Sequence, residues 1–195
     1  NIDELEKNNY PVLIIGSGPA GLTLALELEK KNIKTVIIEA GGEEYNNKSQ
    51  SFYKINTEGV ALKDISNSRL RQFGGTSAIW GGWSKPLSDL DFKNFGLNPN
   101  QIKKYQKKTC EILSIDNSFR ESAINEDFNQ IEFQYSGVRF YEKYFDQIKK
   151  SKNIKLILNT QLSHFEGKNN RVENAICVSN RKLSKIKVKE FVLCC

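Results

Sequence analysis

The feature that most constrains this chain is the segment Gly16-Ser17-Gly18-Pro19-Ala20-Gly21, because of what flanks it. Before it runs Val12-Leu13-Ile14-Ile15, a short apolar, β-branched run of the kind that forms a strand buried on both faces. After it, Leu22, Ala25, Leu26 and Leu28 recur at helical spacing, with Glu27, Glu29, Lys30 and Lys31 available for the wet face and Asn32 ending the helix. Thr35-Val36-Ile37-Ile38-Glu39 reads as a second buried strand. Strand, helix and strand in this order make a βαβ unit with parallel strands. In that setting Gly16 permits the tight turn, Gly18 lets the backbone approach a pyrophosphate, and Gly21 lets the helix pack closely on the strand. The helix N-terminus, around Pro19 and Ala20, then offers free N–H groups and a partial positive charge to a diphosphate. Glu39 stands where a carboxylate accepts hydrogen bonds from the adenosine ribose, and its charge repels the 2′-phosphate of NADP. The alternative is a turn that merely closes a βα corner, with Glu39 exposed.

Composition narrows the classes further. The chain has 195 residues, 38% hydrophobic and 27% charged, as expected for one soluble globular domain. No apolar run approaches the roughly 18 residues that cross a bilayer. The polar, acidic start from Asn1 to Tyr10 is unlike a secretory signal, so a cytoplasmic location is expected. The net charge of +6 comes mostly from scattered lysines, which implies a solvated surface and no nucleic-acid partner. Cys110, Cys177, Cys194 and Cys195 form no C-x-x-C pair, and His164 is the only histidine. Free thiols and no metal site are expected. The absence of methionine and the stop within the apolar Leu193-Cys194-Cys195 suggest a piece of a longer protein.

Beyond Glu39, residues 41–71 read as loop with short helical pieces, and residues 74–82 are glycine-rich. Helical patterns dominate residues 87–150, an expected insertion with a capped start at Asn98-Pro99 and a helix over Val138–Lys150. Ile154–Leu158 is a buried-type strand, and Gln161–Glu166, Val172–Ser179 and Lys185–Lys189 are alternating strands separated by turn residues. Phe191–Cys195 returns to the buried-strand pattern. A parallel strand, an antiparallel meander and a further parallel strand distinguish FAD-binding domains of the glutathione-reductase type from NAD-binding ones. The expected fold is therefore α/β: a Rossmann-like FAD/NAD(P)-binding domain over 1–195, with a parallel sheet, a β-meander and a helical insertion. It is expected to be incomplete at its C-terminus.

In its segments Ile14–Gly21, Val36-Ile37-Ile38-Glu39-Ala40-Gly41 and Arg69–Gly82, the chain resembles the glucose-methanol-choline (GMC) oxidoreductases, in their bacterial sugar-dehydrogenase and pyranose-oxidase-like branch, with Arg69–Gly82 matching the family's second flavin loop. Pro86–Phe92 also fits that branch. The resemblance implies FAD held by Gly16, Ser17, Gly18, Pro19, Ala20, Gly21, Glu39 and Ala40. It adds Gly74, Gly75, Thr76, Ser77, Trp80 and Gly81 from the second loop, with Trp80 as a flat wall of the flavin pocket. A plain reading of that loop makes Trp80 a core anchor instead. Leu162 matches the position that contacts adenine through its backbone. Relatives that bind flavin covalently carry a histidine where this chain has Ile79, so non-covalent FAD is implied.

The activity implied is oxidation of the CH–OH group of an alcohol, sugar or polyol, with hydride passing to flavin N5. The electron acceptor cannot be read. The family's catalytic histidine matches nothing in this chain, and no catalytic residue is assigned; His164 is expected at the surface and Cys194 and Cys195 as packed small hydrophobes. Two rivals stay open: another FAD enzyme class, such as an amine oxidase or an NAD(P)H-dependent hydroxylase or reductase, and a non-catalytic nucleotide-binding module.

Overall fold

The structure, a computed structural model, describes residues 5, 9–56, 66 and 68–195. It divides into one unit formed by residues 1–79 and 139–195 and a second spanning Trp80–Val138.

The first unit opens with β1 (Val12–Ile15), α1 (Pro19–Glu29) and β2 (Thr35–Ile38), followed by α2 (Asn47–Gln50) and a 3-10 turn over Ser51–Tyr53. The second unit carries β3 (Trp83–Ser84), α3 (Asp89–Asn94), α4 (Pro99–Ile102), α5 (Gln106–Leu113), β4 (Glu121–Ala123), β5 (Asn129–Ile131) and β6 (Gln134–Tyr135). The first unit resumes with α6 (Phe140–Lys150), β7 (Ile154–Ile157), β8 (Thr160–Lys168), β9 (Arg171–Ser179), β10 (Lys182–Ile186) and β11 (Glu190–Leu193).

In the first unit a parallel sheet has the order β11-β1-β2-β7, with Leu13 opposite Val36 and Phe191, and Ile15 opposite Ile38 and Leu193. All four residues of β1 and of β2 are buried, because both faces of these central strands are covered. Leu13, Ile15, Val36 and Ile38 form one face and share a core with Ala175, Cys177 and Ile186 of the antiparallel sheet β10-β9-β8. Toward the other face α1 packs beside α6, burying Leu22, Ala25 and Leu26 from the first and Phe140 and Ile148 from the second. Asn32 adopts a left-handed φ of 57° just after α1 and turns the chain toward β2. The fold is thus the α/β, Rossmann-like dinucleotide-binding architecture with a meander, as the strand order implied.

Two boundaries differ from the sequence reading. The insertion is Trp80–Val138, not 87–150, because α6 belongs to the first unit, where Phe145 meets Phe73 edge-to-face at 5.2 Å. The insertion is also less helical than its pattern suggested. After Asn98-Pro99, the helically spaced Ile102, Tyr105, Thr109 and Ile112 fall on α4, a 3-10 turn over Lys103–Tyr105, and α5, leaving Ile102 and Tyr105 exposed. Within this unit Ser88 caps α3 in a reciprocal box with Asp91, and Asn98 Oδ1 accepts from the Asn100 amide at 3.0 Å. Ser136 is fully buried, its hydroxyl donating to the Leu113 carbonyl at 2.7 Å and accepting from the Val138 amide at 3.3 Å. Among the described residues no helix is long and apolar enough to cross a membrane.

Candidate functional site: a crevice at the strand ends

The C-terminal ends of β1, β2 and β11 and the start of β8 surround a crevice of about 370 Å³ in the first unit. This is where an open α/β sheet offers a ligand both loop backbone and a helix N-terminus. Gly16, Gly18, Pro19, Glu39, Ala40, Gly75, Thr76 and Leu162 line it, so residues from four separated stretches of sequence meet there.

The first turn is built for backbone approach. A Cβ on Gly18 would touch nothing within 4 Å on one side, yet a Cβ on Gly75 would sit 3.2 Å from the Gly18 Cα. The second glycine loop therefore lies directly against the first, with the Gly75 side-chain position filled by the Gly18 backbone and that of Gly18 left open. Gly18 is the N-cap of α1 and supplies no side-chain cap, and the first turn of the helix carries no acid. Among the described residues, no acceptor takes the amides of Gly18 and Ala20. Those donors and the helix dipole suit an anion.

Glu39 is buried, 7% exposed, which excludes the exposed-acid alternative. Its Oε2 accepts from the Ser17 amide at 3.0 Å and the Ser17 hydroxyl at 2.7 Å, and its Oε1 accepts from the Gly41 amide at 2.8 Å. A carboxylate has about four acceptor sites, so Oε1 keeps capacity for one more donor on the crevice side. The Ser17 amide, in turn, is taken up by Glu39 and is not open to a phosphate.

Several expected contacts lie elsewhere. Ser17 is fully buried behind the crevice wall, joining Glu39 to the second loop. Gly21 packs against the first turn, where a Cβ would lie 2.1 Å from the Gly16 carbonyl oxygen. Ala20 is exposed but does not line the crevice. Gly74 donates its amide to the Ser17 carbonyl at 3.1 Å, and Ser77 donates its hydroxyl to the Gly74 carbonyl at 2.7 Å while accepting from the Phe140 amide at 3.3 Å. Gly74 and Ser77 thus hold the second loop in shape. Trp80 and Gly81 fall in the second unit, where the Trp80 indole N–H donates to the Val138 carbonyl at 3.0 Å.

Sequence reasoning missed Tyr53, Arg69, Thr160, Gln161, Cys194 and Cys195, which also line the crevice. Arg69 opens the second motif, Arg69–Gly82, and that position is the signal pointing to it. The two cysteines are not packed hydrophobes: Cys194 is half-buried and Cys195 exposed. Partial burial, with the neighbouring Cys195 thiol second, raises the Cys194 thiol pKa. His164 lies exposed on β8, its Nδ1 3.1 Å from the Ser163 hydroxyl. Among the described residues, no group of three or more His, Cys, Asp or Glu could hold a metal ion.

A larger cavity of about 810 Å³ shares Arg69 and Leu70 with the crevice and is walled by Phe73, Ile79, Tyr141 and Phe145 among others. It has neither the glycine turn nor the helix N-terminus, so the smaller crevice is the candidate site.

A family model described as FAD binding domain matches residues 9–54, the stretch holding β1, the glycine turn, α1, β2 and Glu39. The match supports FAD as the cofactor. Among solved structures the chain is similar to pyridoxine 4-oxidase from Mesorbium loti, with a TM-score of 0.64 and 14% identity over 95% of this chain and 49% of that one. It is also similar to p-nitrophenol 4-monooxygenase from Pseudomonas putida, with a TM-score of 0.44 and 12% identity over 95% of this chain and 40% of that one. The chain therefore spans half or less of each of these proteins. No curated protein matches it.

Proposed function

We propose that this chain is the FAD-binding part of a GMC-type oxidoreductase acting on the CH–OH group of an alcohol, sugar or polyol. The observation that carries the reading is the meeting of both glycine motifs in one crevice, with Gly75 against Gly18 and Glu39 beside them. The fold likeness to a protein named as an oxidase is in keeping with it.

In this reading the Gly18 amide, with the dipole of α1 behind it, holds the diphosphate, and Glu39 Oε1 accepts from the adenosine ribose. Gly75 and Thr76 border the path toward the flavin; Thr76 Oγ1 accepts from the Leu70 amide at 3.3 Å, leaving its proton for the cofactor. Arg69 adds positive charge to the same wall. FAD, when bound, supplies the redox chemistry, taking two electrons from the donor. The protein supplies orientation and charge. Ile79 has no nucleophilic atom, so the cofactor is held non-covalently. His164 does not line the crevice and Glu39 is engaged with Ser17 and Gly41, so no side chain described here is assigned as the proton acceptor.

The test has two stages. The purified chain should quench FAD fluorescence on titration, and acid precipitation should release all of the flavin into solution. The protein containing this chain should bleach its bound FAD anaerobically with an alcohol or sugar. Bleaching by NADPH and by no alcohol would refute the CH–OH assignment.

A further inference from the structure

One side chain on the crevice wall is held so that it can read the base. Gln161 lines the crevice at the start of β8, while its neighbour Leu162 packs against the core shared by the two sheets. The Thr160 amide donates to the Glu39 carbonyl at 2.8 Å, which places Gln161 one residue beyond the acid. Arg71 Nη2 donates to Gln161 Oε1 at 2.6 Å. A guanidinium has donors only, so the Gln161 amide must turn its oxygen to Arg71 and keep Nε2 as a donor. Among the described residues, no acceptor takes Nε2.

Arg71 is itself pinned. Its Nε donates to the Ser49 hydroxyl at 3.1 Å, its guanidinium carbon lies 4.6 Å from the centre of the Phe52 ring, and its backbone amide donates to Gln50 Oε1 at 3.0 Å. The sense of the Gln161 amide is thus fixed before any ligand arrives.

A dinucleotide with its diphosphate at Gly18 and its ribose at Glu39 carries its base past Glu39, toward β8. We propose that Gln161 is a specificity-determining residue for adenine, donating from Nε2 to a ring nitrogen, and that Arg71 is the positioning residue that sets the amide. The inference rests on the FAD reading above.

The experiment is calorimetric titration of the apoprotein with ADP and with ribose 5-diphosphate, which is ADP without its base. Gln161→Leu and Gln161→Glu should weaken ADP about 3- to 10-fold, the value of one net hydrogen bond, and leave ribose 5-diphosphate unchanged. Gln161→Glu keeps the Arg71 pair and replaces the Nε2 donor with a charged acceptor. Arg71→Met should weaken ADP selectively, and Arg71→Lys, which still offers only donors, should restore affinity. Unchanged ADP binding in both Gln161 variants, or equal losses for the two ligands, would overturn the proposal while the FAD reading stands. A wild-type protein that binds no ADP would overturn the FAD reading itself.

Discussion

The Ser17 hydroxyl donates to Glu39 Oε2 at 2.7 Å and accepts from the Gly74 amide at 3.3 Å. One buried side chain therefore ties the first glycine turn to the acid and to the second glycine loop. Burial makes the arrangement costly to break, since each group left unpaired forfeits its solvation without compensation. Ser17→Ala should lower unfolding free energy by about 1 to 3 kcal/mol, read from urea denaturation. Its effect on FAD affinity should be smaller than that of Glu39→Ala.

Glu39→Ala removes an acceptor from the crevice and strands two amides at once. FAD binding should weaken by about 1.5 to 3 kcal/mol, the range for losing a hydrogen bond to a charged group. Stability should fall in the same variant. An unchanged FAD dissociation constant in folded Glu39→Ala would remove the acid from the site.

Gly18 and Gly21 should respond oppositely to one added methyl group. Gly18 has an ordinary φ of −69° and an open Cβ position, so Gly18→Ala should fold as well as wild type or gain about 0.4 to 1 kcal/mol. Its methyl group would intrude on the crevice, and FAD affinity should drop. Gly21→Ala would drive a Cβ to 2.1 Å from the Gly16 carbonyl oxygen and should fail to fold stably. Thermal melts and FAD titration of the two variants separate the roles.

Thiol chemistry provides a pH test. Burial pushes the Cys177 thiol up to about 11 from its ordinary 9.0. A thiol raised on folding stabilises the native state below its unfolded value, and that contribution is lost as pH climbs from 9 toward 11. Melting temperature should therefore fall less steeply over that window in Cys177→Ala than in wild type. At pH 8, Cys195 should react with a thiol reagent in the folded protein and Cys177 only after unfolding, as mass spectrometry of labelled peptides would report.

In the second unit, Ser88 holds the Asp91 carboxylate below its usual range, through its hydroxyl first and its amide second, with Lys85 adding to the effect. A depressed carboxylate stabilises above its unfolded value, and the contribution fades as pH falls through its folded one. Helix α3 should fray below about pH 4, and amide exchange at Phe92 should quicken there. Ser88→Ala should show the faster exchange already at neutral pH.

The β1–α1–β2 unit was legible because its cause is local. Four apolar residues, a glycine turn, an amphipathic run and four more apolar residues leave one way to bury both strands. The meander was legible for a similar reason, as alternation with turn residues between. The insertion was not: the helical spacing of Ile102 and Tyr105 suggested one helix, but a stripe needs a surface to bury against. Here the backbone tightens at Lys103–Tyr105 and those side chains stay exposed.

What the chain determined by itself is the order of strands, the glycine turn, and an acid at the end of β2, since each follows from nearest-neighbour sterics and hydrophobic period. Which of the motif residues face the crevice was decided only in three dimensions. Ser17 turned inward because the Glu39 carboxylate, once buried, required donors, and Gly74 and Ser77 were drawn into holding the loop. Gln161 became a wall residue because β7 and β8 bring it beside Glu39, and Arg71, far from it in sequence, arrived there through the packing of the loop it belongs to. Long-range pairings of polar side chains have no period, so only the closed fold could assign them.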